Sequence, residues 1–259
     1  MTPDALPLDT VQVLTCDSLF DGHRFVGPAT VRIVGERIEA VEPGVAEAAE
    51  ALHVRTLLPG LIDAHAHVVA HPDGPPAQDP YRLHRNVLRL LASTGVTTVR
   101  DAGNAIEATR YAQLWSDVHG GPRVVATGPF LDAPPLRWAA SRIVRTPADG
   151  VAEVDRLAAE GLRWVSVYRN VPLDVVRAIA ERALGHGMDV LADVGGVGAA
   201  ALAEAGARSV EHAAHLLPLR DAEGVPPPTV VGLVRAWASL DHESAVIDDL
   251  IERLLGAGT

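Results

Sequence analysis

From residue 61 onward two kinds of apolar pattern alternate, and this alternation restricts the fold more than any other feature. Short apolar, β-prone runs recur at Leu61–Ala64, Thr97–Arg100, Arg123–Thr127, Trp164–Tyr168, Asp189–Asp193, Ser209–Glu211 and Thr229–Leu233. Between them lie stretches of helical character near Tyr81–Ser93, Ile106–Ser116, Ala148–Gly161, Leu173–Gly187, Gly198–Gly206 and Ser244–Leu255. A strand followed by a helix and another strand favours a parallel sheet with right-handed crossovers. The predicted class is therefore α/β, as a TIM-like (β/α) barrel in which seven strands are read.

Local signals support the helices. Val87, Leu88 and Leu91 share one helical face, as do Val176, Ile179 and Ala180. Gly161, Gly187, Gly206 and Gly256 stand where helices should end, because a helix often closes on a left-handed residue. Pro147 and Pro172 stand where helices should begin.

Residues 1–58 read differently. Short strands are expected at Val11–Leu14, Ala29–Val34, Arg37–Val41 and His53–Leu58, with turns at Asp21-Gly22 and Gly35-Glu36. This is a small N-terminal β module, too short to bury a good core alone. The barrel segment is 59–259. A closed eight-stranded barrel takes about 250 residues, more than follow Pro59, so the reading is of a barrel that stops one strand short.

Composition narrows the chemistry. All 22 basic residues are Arg, which excludes a Schiff-base lysine, a phosphate-loop lysine and a carbamylated lysine bridge. The net charge of −11 argues against nucleic acid as a partner. Cys16 is the single cysteine, so there is no internal disulfide and no cysteine cluster for a metal. No basic and apolar leader opens the sequence, and no run reaches the roughly 18 apolar residues of a membrane span. The expectation is a cytoplasmic protein that acts on a small molecule, with no nucleic-acid or membrane partner.

The most specific local motif is Pro59-Gly60-Leu61-Ile62-Asp63-Ala64-His65-Ala66-His67. Residues i and i+2 of a strand face the same way, so His65 and His67 project together from the strand's C-terminal end. In a parallel barrel that end forms the active-site face, and two imidazoles there suit a divalent metal. His212 ends the sixth strand in the same layer and is a third candidate ligand. Asp193 ends the fifth strand and can donate a carboxylate oxygen. Tyr168 and Arg169 follow the fourth strand and are candidate substrate contacts, the guanidinium suiting a carboxylate. Asp101 reads as a turn anchor, and His71, His84, His119 and His215 as surface residues.

Together, the β module, Thr56-Leu57-Leu58 with the two-histidine motif, the run from Gly95 to Gly103 (GVTTVRDAG) and the run at 203–213 (AEAGARSVEHA) resemble the metal-dependent amidohydrolase superfamily. The likeness is greatest to its imidazolonepropionase and Xaa-Pro dipeptidase-like group. The resemblance implies a β-sandwich beside a distorted TIM barrel, and hydrolysis of a carbon–nitrogen bond, in an amide or cyclic amide, by metal-activated water. The implied ion is zinc.

The sequence departs from that pattern at three places. Ser166 stands where the family has a bridging lysine, and Asp193 where it has a histidine. The family's eighth-strand aspartate would fall beyond Thr259. A single ion is therefore expected rather than two, held by His65, His67, His212 and Asp193. The alternative reading is a catalytically impaired binding protein, or a fragment lacking that aspartate. The unpaired strand edges of such a chain would favour a homo-oligomer.

Overall fold

The computed structural model describes residues 11–47, 50–68, 81–136, 138, 141–193, 195, 197–212 and 245–259. The N-terminal part is a four-stranded sheet of β1 (Val11–Leu19), β2 (Ala29–Val34), β3 (Arg37–Pro43) and β4 (Leu52–Leu57), in the order β3-β2-β1-β4. The pairs β1–β2 and β2–β3 are antiparallel, and β1–β4 is parallel. Among the described residues, Cys16, Leu19 and Ala29 form its buried cluster, packed by Val54 and Leu57. Val11, Ile38, Val41 and Leu52 stay exposed, as expected of a module this short. β1 runs past the expected Leu14 because Ser18 and Leu19 find register partners in Thr56 and Leu57 of β4.

The remaining strands are β5 (Leu61–Ala66), β6 (Val96–Asp101), β7 (Arg123–Ala126), β8 (Phe130–Asp132), β9 (Arg142–Ile143), β10 (Trp164–Val167), β11 (Asp189–Asp193) and β12 (Ser209–Glu211). The helices are α1 (Arg82–Ser93), α2 (Ile106–His119), α3 (Pro147–Ala159), α4 (Leu173–Gly185), α5 (Ala199–Glu204) and α6 (Ala245–Ala257). Every strand pair here is parallel, in two sheets ordered β5-β6-β7 and β12-β11-β10-β8-β9. The chain passes between the sheets in the three residues from Thr127 to Pro129: β7 pairs with β6, and β8 with β10. Thr127 holds the crossing by donating to the Asp101 carbonyl at 2.9 Å, and Asn104 N–H donates to the Gly128 carbonyl at 2.8 Å.

Parallel strands need both faces covered. The larger core supplies this with Leu131, Val165, Val167 and Val190 from strands against Leu157, Val175 and Ile179 from α3 and α4. A smaller core joins Val99 and Val124 to Leu88, Ala112 and Trp115 of α1 and α2. Helix α3 starts as anticipated: Pro147 occupies its first turn, and the Thr146 and Asp149 side chains cap each other's backbone N–H. Gly161, Gly187 and Gly206 take positive φ just past their helices. Gly256 does not; α6 continues through it and Gly258 takes the positive φ instead.

Six of the seven expected barrel strands are present at their expected places. The seventh, Thr229–Leu233, lies outside the described residues, as do His71 and His215. Among the described residues the parallel strands do not close into a ring. No described helix is long and apolar enough to cross a membrane. β8 and β9 were not anticipated, since strands of three and two residues carry no readable periodicity. His84, expected at the surface, is buried beside Tyr81 and Tyr111. It lies one helical turn before Leu88, on the face that α1 turns to the core.

Candidate active site

The β5 pattern delivers His65 and His67 as expected, with ring centroids 5.2 Å apart. His212 follows β12 and adopts φ of 66°, a left-handed conformation that histidine tolerates better than most side chains. Its ring centroid lies 4.5 Å from that of His65. The fold thus gathers three imidazoles from strands almost 150 positions apart in sequence.

Asp193 ends β11, where register pairs it with Glu211 of β12. Its Oδ2 lies 3.8 Å from His212 Nε2 and accepts a hydrogen bond from Arg169 Nε at 2.9 Å. Arg169 therefore engages a candidate ligand, and its guanidinium lies 5.5 Å from the Tyr168 ring centre. Tyr168 joins an aromatic group: Phe130 at 5.0 Å and Trp138 at 6.5 Å between centroids. His67 borders the same group, 5.8 Å from Phe130 and 6.3 Å from Trp138. Ten aromatic residues in the chain are of the Phe, Trp or Tyr type, and three of them wall this side of the site.

Beneath the histidines is a network that sequence reasoning missed. The Glu211 carboxylate accepts from His65 Nδ1, from Ser209 Oγ at 2.5 Å and from Arg100 at 2.6 Å. Arg100 also donates to the Ala64 carbonyl at 2.6 Å and to Ser209 Oγ at 3.0 Å, with its guanidinium 4.5 Å from the Trp164 ring centre. Burial pushes the Glu211 carboxyl up, but the hydrogen bonds from His65 and Ser209 and the charge of Arg100 outweigh it and hold it below its ordinary range. The only available signal was period two, which puts Ser209 and Glu211 on one face of β12.

Three more buried groups bound the site. Ser166, expected from the resemblance to stand in place of a lysine, donates to the Ala102 carbonyl at 2.8 Å. Asp132 is fully buried; its Oδ1 accepts from the Ala133 and Asn170 N–H groups, and its Oδ2 has no hydrogen-bond partner among the described residues. Burial pushes its carboxyl up, against those hydrogen bonds. Asp101 accepts from Val68 N–H, Asn104 Nδ2 and Thr109 Oγ1. It thus ties the segment after β5 to the start of α2, the anchoring role anticipated for it.

Burial raises the Asp101 carboxyl to about 6, its hydrogen bonds only partly opposing this. The consequence for stability has a definite sign. Below about pH 4 the group is protonated in both states; between there and pH 6 the unfolded chain sheds its proton first, so stability falls as pH rises. The loss is roughly 2–3 kcal/mol, complete above pH 6. Denaturation of wild type and Asp101→Asn from pH 4 to 7 checks this: the wild type should lose ground against the variant up to pH 6 and then run parallel. A constant difference would contradict it.

A second expected result concerns Gly195, in the turn after β11. A Cβ there would lie 1.9 Å from the Arg169 carbonyl oxygen, and φ is +46°. Gly195→Ala must push the loops after β10 and β11 apart, costing about 1–3 kcal/mol. Thermal melting should show the loss, and a variant as stable as wild type would contradict the packing.

A divalent ion of the zinc type needs three or four nitrogen or oxygen donors. Among the described residues, no three His, Cys, Asp or Glu side chains already converge as a complete cage. The donor chemistry nevertheless fits. His65 Nε2 is buried and makes no hydrogen bond to any described residue, while its Nδ1 is held by a carboxylate. Metal-binding imidazoles are commonly supported in this way. His67 and His212, with rings 5.2 and 4.5 Å from that of His65, and Asp193 beside His212 are the further donors nearby.

Comparison with known proteins bears on the fold. The chain has the fold of a Xaa-Pro dipeptidase (TM-score 0.67, 19% identity, covering 82% of this chain and 63% of that one). It is similar in fold to molinate hydrolase (0.69, 17%, 97% and 63%) and to the ochratoxinase of A. niger (0.65, 18%, 97% and 74%). The chain thus spans less than two thirds of the dipeptidase and molinate hydrolase chains. No curated protein matches its sequence significantly. The sequence model of the amidohydrolase family matches residues 56–235, from the end of β4 past the histidine after β12, and the chain belongs to that family.

Proposed function

We propose that this protein is a metal-dependent hydrolase of a carbon–nitrogen bond in a small amide or cyclic amide. The observation that carries the reading is the buried Nε2 of His65, which makes no hydrogen bond to any described residue and is flanked by the rings of His67 and His212. His65, His67 and His212, with Asp193, would hold one ion, zinc by donor type. When bound, such an ion polarises the scissile carbonyl and makes water a nucleophile near neutral pH. Ser166 supports a count of one, because its hydroxyl is short and already committed to Ala102.

The chain's other residues have separate tasks. Phe130, Trp138 and Tyr168 offer an apolar wall beside His67 and exclude water from that flank. Arg169 neutralises Asp193 until the carboxylate is called on as a ligand, and its partly exposed guanidinium can orient an acidic substrate group. The net charge of −11 disfavours nucleic acid as a substrate. A cytoplasmic setting suits a chain whose single cysteine is buried and free.

The test is metal analysis of purified protein, then hydrolysis of a panel of amides, lactams and dipeptides before and after chelation. Bound zinc, and turnover that chelation removes and zinc restores, is the expected result. A protein that takes up no zinc and hydrolyses nothing would overturn the proposal. The Asp193–Arg169 pair favours one alternative, a scaffold that binds ligands without turnover because a donor is occupied. Arg169→Ala should then leave the protein inactive; on the hydrolase reading it leaves zinc bound and raises KM for acidic substrates.

A further inference from the structure

We propose that Glu211 and Arg100 are positioning residues that fix the tautomer and ring orientation of His65, so that Nε2 is its donor atom. This rests on the reading of His65 as a metal ligand. Glu211 is 5% and Arg100 12% exposed, so the pair is largely removed from water. An ion pair buried to this degree is poor evidence for stability, because desolvation offsets much of the attraction. Its geometry instead serves direction. Arg100 leaves β6 with its guanidinium fixed by the Ala64 carbonyl of β5, by the Trp164 ring of β10, and by Ser209 and Glu211 of β12. Four strands therefore determine where the Glu211 carboxylate sits.

Arg100 takes Oε1 of that carboxylate and His65 Nδ1 takes Oε2. An ionised carboxylate can only accept, so the hydrogen between Glu211 and His65 is on Nδ1. In the neutral ring Nε2 then carries the lone pair. The other tautomer would set two lone pairs against each other at Nδ1 and bury an N–H at Nε2, where no described residue accepts it. Each of these costs free energy that the first tautomer avoids. His212, whose side chain is 39% exposed, is less enclosed than this pair.

The test reads the metal-free protein first. Nitrogen-15 NMR of the His65 side chain in the wild type should show Nδ1 protonated and Nε2 bare. In Glu211→Gln the amide can present either its oxygen or its NH₂ to His65, so both tautomers should appear. Zinc affinity by calorimetry should fall roughly 10- to 100-fold, the usual cost of losing a partner of this kind. Arg100→Met would strand a buried carboxylate and risks unfolding, so the double variant Arg100→Met, Glu211→Gln is the companion. It removes both charges together, and should melt near wild type while sharing the weakened zinc binding. A Glu211→Gln protein with wild-type tautomer and zinc affinity would overturn the proposal. A wild type with the fixed tautomer that takes up no zinc would instead overturn the metal reading, leaving the positioning of the ring in place.

Discussion

Replacing His65 with alanine is expected to lower kcat/KM for amide hydrolysis by at least roughly a thousandfold. His65 offers a buried imidazole nitrogen that makes no hydrogen bond to any described residue and whose ring is oriented by a carboxylate. Without it, His67 and His212 lose the neighbour lying within 5.2 and 4.5 Å of their rings, and the donor set falls from four to three, the position left for substrate water counted in neither. Loss of a Lewis acid forfeits several kcal/mol of transition-state stabilisation, and about 1.4 kcal/mol corresponds to a factor of ten. Steady-state kinetics together with zinc content checks this, and the two should fall in step. His119→Ala is the control, since that exposed imidazole stacks on Trp115 at the end of α2. A His65→Ala protein that keeps both zinc and turnover would place the chemistry elsewhere.

Leu131→Ala is expected to destabilise the fold by about 2–5 kcal/mol, the range for truncating a leucine in a closed core. Leu131 is fully buried in β8 and registers with Val167 of β10. β8 is only three residues long, so Leu131 supplies much of what holds it. The residues on either side, Phe130 and Asp132, belong to the aromatic wall and the buried carboxylate of the site. The variant should therefore unfold at lower urea and raise KM before it loses kcat. Leu184→Ala, at a side chain 78% exposed on α4, should stay within about half a kcal/mol of wild type. Equal midpoints for the two variants would contradict this account of the core.

Much of the architecture was readable because its signals are local. The switch from polar helical faces to short apolar runs marked six of the parallel strands within a residue or two. Pro147 at the start of α3, and the glycines after α3, α4 and α5, act through their own backbone neighbours. The two-histidine motif also acts within one strand. β8 and β9 escaped because strands of three and two residues are created by their neighbours: β8 exists because β10 offers register partners, and β9 because β8 does. His84 was misplaced for a related reason. A histidine at a core-facing helical position is buried by what packs on the helix, and composition alone does not reveal that.

The sequence by itself determined the α/β alternation, the place of His65 and His67 on one strand end, and the absence of any lysine. Each follows from chain periodicity or simple counting. Only the tertiary structure decided that Asp193 is met by Arg169, that Ser166 turns to the Ala102 carbonyl, and that Arg100 and Glu211 close on His65. Those contacts join residues from 24 to 146 positions apart. No local pattern encodes them, because they form only where parallel pairing and buried packing bring separate strand ends to the same layer.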